Sequence, residues 1–167
     1  EAEASRDLEL GVAGFLMTGT GGGAMAGPSP FLFIEVGHGI FLRPSLAFGQ
    51  TVTSLPPSNI TGTWLNSRFD TCLRLPGLYS TRRGIQFDMC GGGDAGVTFL
   101  DSGQSFPFVS LGPSLDLRGE LGSNLAVALR GVFGINLIRP TFVVDSTEED
   151  VPSWSGRIEL ALSWSLR

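Results

Sequence analysis

Residues 64–99 alternate polar and apolar along two arms that mirror one another about position 81, and this hairpin limits the fold more than any other stretch of the chain. Reflection sets Arg68 against Asp94, Cys72 against Cys90 and Arg74 against Asp88. All six residues are even-numbered, so they share one face of a pair of period-two strands. The odd face carries Phe69, Thr71 and Leu73 on one arm and Phe87, Met89, Ala95, Val97 and Phe99 on the other. A soluble sheet buries its apolar face and wets its polar one, so a single hairpin leaves open which side is interior. The same alternation recurs along the whole chain. That recurrence points to a closed barrel with polar side chains inside and apolar ones facing lipid.

The 167 residues make one domain, 1–167, with length for about eight transmembrane strands of roughly 9 to 11 residues each. Hydrophobic residues are 42% of the chain and the mean hydropathy is +0.21. No run approaches the roughly 18 uninterrupted apolar residues that a membrane helix needs. The 24 glycines and 10 prolines break the chain into short segments and argue against long helices. The fold is therefore expected to be all-β: an eight-stranded antiparallel up-and-down transmembrane β-barrel with a polar lumen filled by side chains.

The first strand reads Leu8 to Met17 and dissolves into a glycine-rich loop near 19–29. The second, Phe31 to Gly37, turns through His38 and Gly39 into the third, Phe41 to about Thr53, and reflection about Gly39 pairs Glu35 with Arg43. Leu55-Pro56-Pro57-Ser58-Asn59 is a loop, and the fourth and fifth strands form the opening hairpin through a turn at 76–84. After a loop near 101–107, the sixth strand alternates Gly112, Ser114, Asp116 and Arg118 with Leu111, Pro113, Leu115 and Leu117. A turn at Gly122-Ser123-Asn124 sets Asp116 opposite Arg130 in the seventh. An acidic loop at 140–153 precedes the eighth strand, Arg157 to Arg167. Long connections (19–29, 54–61, 101–107, 140–153) thus alternate with shorter ones (38–40, 76–84, 121–124). That places both termini at the short-turn end, which is periplasmic in outer-membrane barrels. Trp154 and Trp164 bracket the eighth strand as interfacial aromatics would. Trp64 lies near the long-loop rim, where strict parity points it inward unless a bulge intervenes.

The net charge is −5 and every basic residue is arginine. Without a basic cluster the footprint of a nucleic-acid binder is missing. Cys72 and Cys90 fall on adjacent strands at matching positions, where Cα atoms lie about 4.5 to 5.5 Å apart, within reach of a disulfide. An oxidising compartment such as the periplasmic side of a bacterial envelope follows; the alternative is two reduced, buried thiols. No signal peptide is present, and Glu1-Ala2-Glu3-Ala4 fits residues just after a cleavage site as well as a remnant of an expression tag.

Candidate chemistry is sparse. His38 is the single histidine, and in a short turn it lacks the serine or acid that a hydrolase or acyltransferase places within hydrogen-bond reach of its base. One histidine and two paired cysteines cannot assemble a zinc tetrahedron. Gly19-Thr20-Gly21-Gly22-Gly23 resembles a phosphate-cradling loop only in its glycines, without the lysine and helix that complete one. Gly91-Gly92-Gly93-Asp94 resembles one fragment of a calcium-binding β-roll, a fold that needs arrays of such repeats; these glycines read instead as relief for crowded lumen side chains. Asp145, Glu148, Glu149 and Asp150 read as a solvated acidic loop, with a divalent ion or a partner as the alternative. The inward charges Glu9, Glu35, Arg43, Arg68, Asp70, Arg74, Asp88, Asp94, Asp116, Arg118, Glu120, Arg130, Arg157 and Glu159 are mixed in sign. In a barrel just wide enough to be filled, they read as a neutralising network. Arg68→Ala is accordingly expected to destabilise more than Arg82→Ala in the turn. No cofactor is expected.

The chain resembles the small outer-membrane β-barrel proteins of myxobacteria and related deltaproteobacteria and, more distantly, the eight-stranded OmpA/OmpX class. The residues that carry the likeness are Cys72-Leu73-Arg74-Leu75-Pro76, Phe87-Asp88-Met89-Cys90-Gly91, Leu137-Ile138-Arg139-Pro140-Thr141-Phe142 and the alternating last strand. The resemblance implies a bacterial outer-membrane location. It also implies a terminal aromatic residue, whereas this chain ends Leu166-Arg167 and its next outward position would be 168. The expected function is a non-enzymatic barrel with a structural, adhesive or envelope-assembly role. Its partners would be outer-membrane lipid, lipopolysaccharide and other envelope proteins. The rival readings are a narrow channel for ions or small solutes, a lipid-modifying enzyme, and a soluble lipocalin-like binder of a small hydrophobic ligand.

Overall fold

Alternation gives every strand two chemically different faces, and closing the sheet on itself leaves no unpaired edge between them. The computed structural model describes residues 8–20, 23–37, 39–53, 61–75, 85–144 and 147–166. In chain order the strands are β1 (Leu8–Thr18), β2 (Ala24–Gly37), β3 (Ile40–Thr53), β4 (Gly62–Arg74), β5 (Ile85–Leu100), β6 (Ser105–Glu120), β7 (Leu125–Asn136), β8 (Thr141–Val144), β9 (Thr147–Asp150) and β10 (Trp154–Leu166). Eight of them close into an antiparallel barrel in the order β1-β10-β7-β6-β5-β4-β3-β2, and β8 with β9 makes a separate hairpin. The barrel closes where β1 meets β10, with Leu8 opposite Leu166 and Thr18 opposite Gly156, so the chain enters and leaves the barrel at one rim.

The hairpin that opened the sequence reading keeps its register throughout: Arg68 pairs with Asp94, Cys72 with Cys90 and Arg74 with Asp88. Its even residues are buried apart from the half-buried Arg74, Gly92 and Gly96, and its odd ones are exposed or half-buried. The whole wall follows the same rule, with Leu10, Leu46, Phe69, Leu115 and Leu160 turned outward. Leu115 and Leu160 are 61% and 62% exposed, while the arginines and carboxylates between the same staves are buried. A lipocalin-like barrel would have these faces reversed.

Several expected boundaries move. The glycine-rich segment is no long loop, because Met25 to Pro30 already pair with β1 from Met17 to Val12. The long β7 to β10 connection contains the β8–β9 hairpin. The connections at the far rim, 19–23 and 101–104, are shorter than 75–84 at the rim of the termini, so loop length no longer separates the two ends. The expected Glu35 and Arg43 pair is also displaced. A register shift between Glu35 and Gly37 sets Glu35 opposite Phe41, and Arg43 turns instead to a partner across the lumen. His38, Arg82, Asp145 and the segments 1–7, 54–60 and 76–84 lie outside the described residues.

Candidate functional site

Among the described residues the lumen is where the fold gathers most ionisable side chains, and it is layered. Near the rim of the β1–β2 connection the layer is apolar, which corrects the expectation of a uniformly polar interior. Trp64 is fully buried and meets Phe15 and Phe108 edge-on, with ring centroids 5.6 and 6.0 Å away. Met17, Met25 and Ala47 complete the layer. β4 runs through Trp64 without a bulge, so parity holds and this indole is no interfacial anchor. Above it, Val151 from the β9–β10 connection packs on Leu100 and Phe106. Asn136 fastens that connection by donating its amide to Gly19 O at 2.9 Å and Pro152 O at 2.7 Å.

The middle layer is charged. Arg68 donates from Nε and Nη2 to Asp70 at distances from 2.7 to 3.0 Å, from Nη1 to Asp94, and from Nη2 to Gly112 O at 3.1 Å. Asp94 also accepts from Asn66 Nδ2 at 2.6 Å and Ser110 Oγ at 3.1 Å, with Arg157 Nη1 at 3.5 Å. Arg130 Nη2 donates to Asp70 and to Ser114 Oγ, the latter at 2.6 Å, while its Nε lies 3.5 Å from Asp116. Arg43 reaches across to Glu159 at 2.8 Å, and Arg157 Nε stands 2.9 Å from the other oxygen of that carboxylate. Glycines make room for this packing. A Cβ on Gly92 would sit 2.3 Å from Asp70 Oδ1.

Toward the rim of the termini the layer turns aromatic. Phe33 and Phe41 stack at 4.7 Å beside the Cys72–Cys90 disulfide. Arg74 lies over Phe41 at 4.2 Å and Arg43 over Phe31 at the same distance, a favourable placement of a cation on a ring face. Arg74 pairs with Asp88 at 3.3 Å, and Arg118 pairs with Glu9, which also accepts from Ser163 Oγ at 3.1 Å.

Among the described residues, six arginines thus meet six carboxylates in ion pairs inside the barrel. Between the middle and lower layers remains a space of about 30 Å³, room for about one water. Cys72, Cys90 and Asp116 form the one group of potential metal ligands among the described residues. Both sulfurs are bonded to each other, so neither is the thiolate that a soft metal requires. Asp116 and Arg130 stand opposite in register as expected, although Arg130 makes its closer contacts to Asp70 and Ser114. Trp154 and Trp164 both point outward at opposite ends of β10. Reflection across hairpins could not find Arg43 with Glu159, Arg130 with Asp70 or Arg118 with Glu9. Those pairs join staves that are not neighbours, and closure alone brings them together.

No family model matches the chain, and no curated protein sequence matches it. Solved structures do. Neisserial surface protein A aligns over 99% of this chain and 100% of its own with a TM-score of 0.64 at 7% identity. A major outer membrane protein from Thermus thermophilus aligns over 97% and 100% with a TM-score of 0.63 at 11% identity. Ail, the attachment invasion locus protein of Yersinia pestis, solved with the heparin analogue sucrose octasulfate, aligns over 96% and 97% with a TM-score of 0.54 at 13% identity. The chain therefore has the fold of the small eight-stranded outer-membrane β-barrels.

Proposed function

We propose that this chain is a non-enzymatic integral barrel of the bacterial outer membrane, with a structural, adhesive or envelope-assembly role carried by its wall and rims. The observation that carries the reading is an outward apolar wall around a lumen closed at mid-height by buried ion pairs, with a polar recess of about 290 Å³ at the rim of the termini. Such a wall needs a lipid solvent, and ion pairs across the middle of the lumen obstruct a straight path through it. Both termini lie on the periplasmic side in this reading, which places the β8–β9 hairpin outside the cell. The cysteine-bearing motifs and the last strand favour a place beside the small barrels of myxobacteria and their relatives.

Ligand choice at the outer rim does not follow Ail. A sulfated polyanion needs clustered bases, whereas the described rim exposes Asp101, Glu148 and Asp150 with Arg139 as its single exposed base. A basic envelope partner or lipopolysaccharide bridged by divalent ions suits that surface better. The test is reconstitution in planar bilayers together with partition between detergent and aqueous phases. Entry into the detergent phase without stable conductance supports the reading. Unitary currents would favour the narrow channel, and a monodisperse monomer without detergent would overturn the membrane assignment.

A further inference from the structure

The barrel is not equally closed all the way round. From Ile40↔Leu73 to Gln50↔Thr63, β3 and β4 pair at every position, as do β4 and β5 from Gly62↔Leu100 to Arg74↔Asp88 and β1 and β10 along their length. Between β2 and β3 the paired positions jump from Ala26↔Gln50 to Phe31↔Ser45 and then to Ile34↔Leu42, all in one register, with register shifts at both ends. In that register Pro28 stands opposite Phe48, Pro30 opposite Leu46 and Pro44 opposite Leu32. The phase is fixed by β1 and β4, which pair without interruption on the other sides of β2 and β3. All three prolines are therefore at positions whose N–H would cross the β2–β3 seam. Proline has no N–H to give. The carbonyls of Phe48, Leu46 and Leu32 each face a residue that cannot donate. Elsewhere in the barrel only Pro113 opens such a gap among the described strands, at β6–β7.

The strands have not drawn apart at the seam. A Cβ on Gly27 would fall 1.8 Å from Phe48 O. The lumen does not compensate with charge, because β2 is the barrel strand that contributes no member to any ion pair among the described residues. It is held from inside by Arg43 over Phe31 and Arg118 over Phe33. Behind the seam the buried hydroxyls of Ser29 and Ser45 and Arg43 Nη1 lack hydrogen-bond partners. In front of it, Pro30, Leu32, Pro44 and Leu46 line an apolar groove in the outer wall, about 800 Å³ with its continuation over β4–β6.

We infer that the barrel parts sideways along β2–β3, and that this seam, not the β1–β10 closure, is the lateral opening built into the wall. Opening there joins the apolar outer groove to the unsatisfied hydroxyls of Ser29 and Ser45. The inference is independent of the membrane reading, since it compares seams of one barrel.

Residue-resolved amide exchange by NMR on the full chain in detergent micelles tests it. The amides of Leu32 and Leu46, which serve the isolated Phe31↔Ser45 pairing, exchange at least about tenfold faster than those of the β4–β5 ladder at the same height. Pro30→Ala and Pro44→Ala each restore a donor, and each slows exchange at the seam while leaving β4–β5 unchanged. The unaltered protein carries the comparison by itself if either variant fails to fold. Equal protection across both seams, or fastest exchange at β1–β10, overturns the inference.

Discussion

Arg68→Ala tests whether the lumen network holds the barrel together. The guanidinium is wholly buried and serves Asp70, Asp94 and the Gly112 carbonyl at once. Removing one partner of a buried ion pair costs about 3 to 5 kcal/mol, because the charge left behind is neither solvated nor matched. Here neither carboxylate is left bare. Asp94 keeps Asn66 and Ser110, with Arg157 at 3.5 Å, and Asp70 keeps Arg130. The loss therefore belongs at the low end, about 3 kcal/mol. The assay is equilibrium urea unfolding of the refolded protein in lipid or detergent. Tryptophan emission is the probe, since Trp64 sits in the next layer with its ring 6.0 Å from Arg157. Glu148→Ala on the exposed hairpin is the control and should stay within about 0.5 kcal/mol of the parent. A loss below about 1 kcal/mol for Arg68→Ala would refute the claim that these pairs are dry and structural, because that is the range of solvent-exposed pairs.

Three further outcomes follow from other layers. Reducing the Cys72–Cys90 bond, or replacing both residues by serine, should lower stability by about 3 kcal/mol on a chain-entropy estimate for a loop of this size, read as a shift in the urea midpoint with and without reductant. Leu160→Arg, on the outward face of β10, should cost about 2 to 4 kcal/mol if that position lies at the bilayer midplane, measured by folding into lipid vesicles; no loss would speak for a water-facing wall. Gly92→Val should prevent formation of the heat-modifiable folded band on gels, because the added carbons would overlap the Asp70 carboxylate and the Phe69 carbonyl.

What the sequence disclosed was whatever a period of two and a mirror can carry. The β4–β5 hairpin was legible to the residue, as was Asp116 opposite Arg130, because unbroken antiparallel registers obey reflection. Glu35 with Arg43 failed where a register shift at the end of β2 broke the mirror. Trp64 was legible by parity, yet aromatic residues near a rim suggest an interface, and that competing expectation hid an apolar layer of six residues inside the barrel. The glycine-rich 19–29 segment lacked alternation because small residues carry no polarity signal, and β2 began there all the same. Arg43 with Glu159 had no local signature at all, since it depends on the closure of β1 on β10.

The ion pairs and the backbone ladder divide the work of holding the barrel. Ladder bonds join each stave to its neighbours, whereas Arg43 with Glu159, Arg130 with Asp70 and Arg118 with Glu9 join β3 to β10, β7 to β4 and β6 to β1 across the lumen. Among the described residues, seven of the eight staves are tied by charge from inside. Opening a path through its centre would separate several buried pairs at once, each at a cost comparable to a large share of the stability of a small domain. A transition between β2 and β3 breaks none of them. The seam bordered by Pro28, Pro30 and Pro44 is therefore where the wall yields at least expense to its ion pairs.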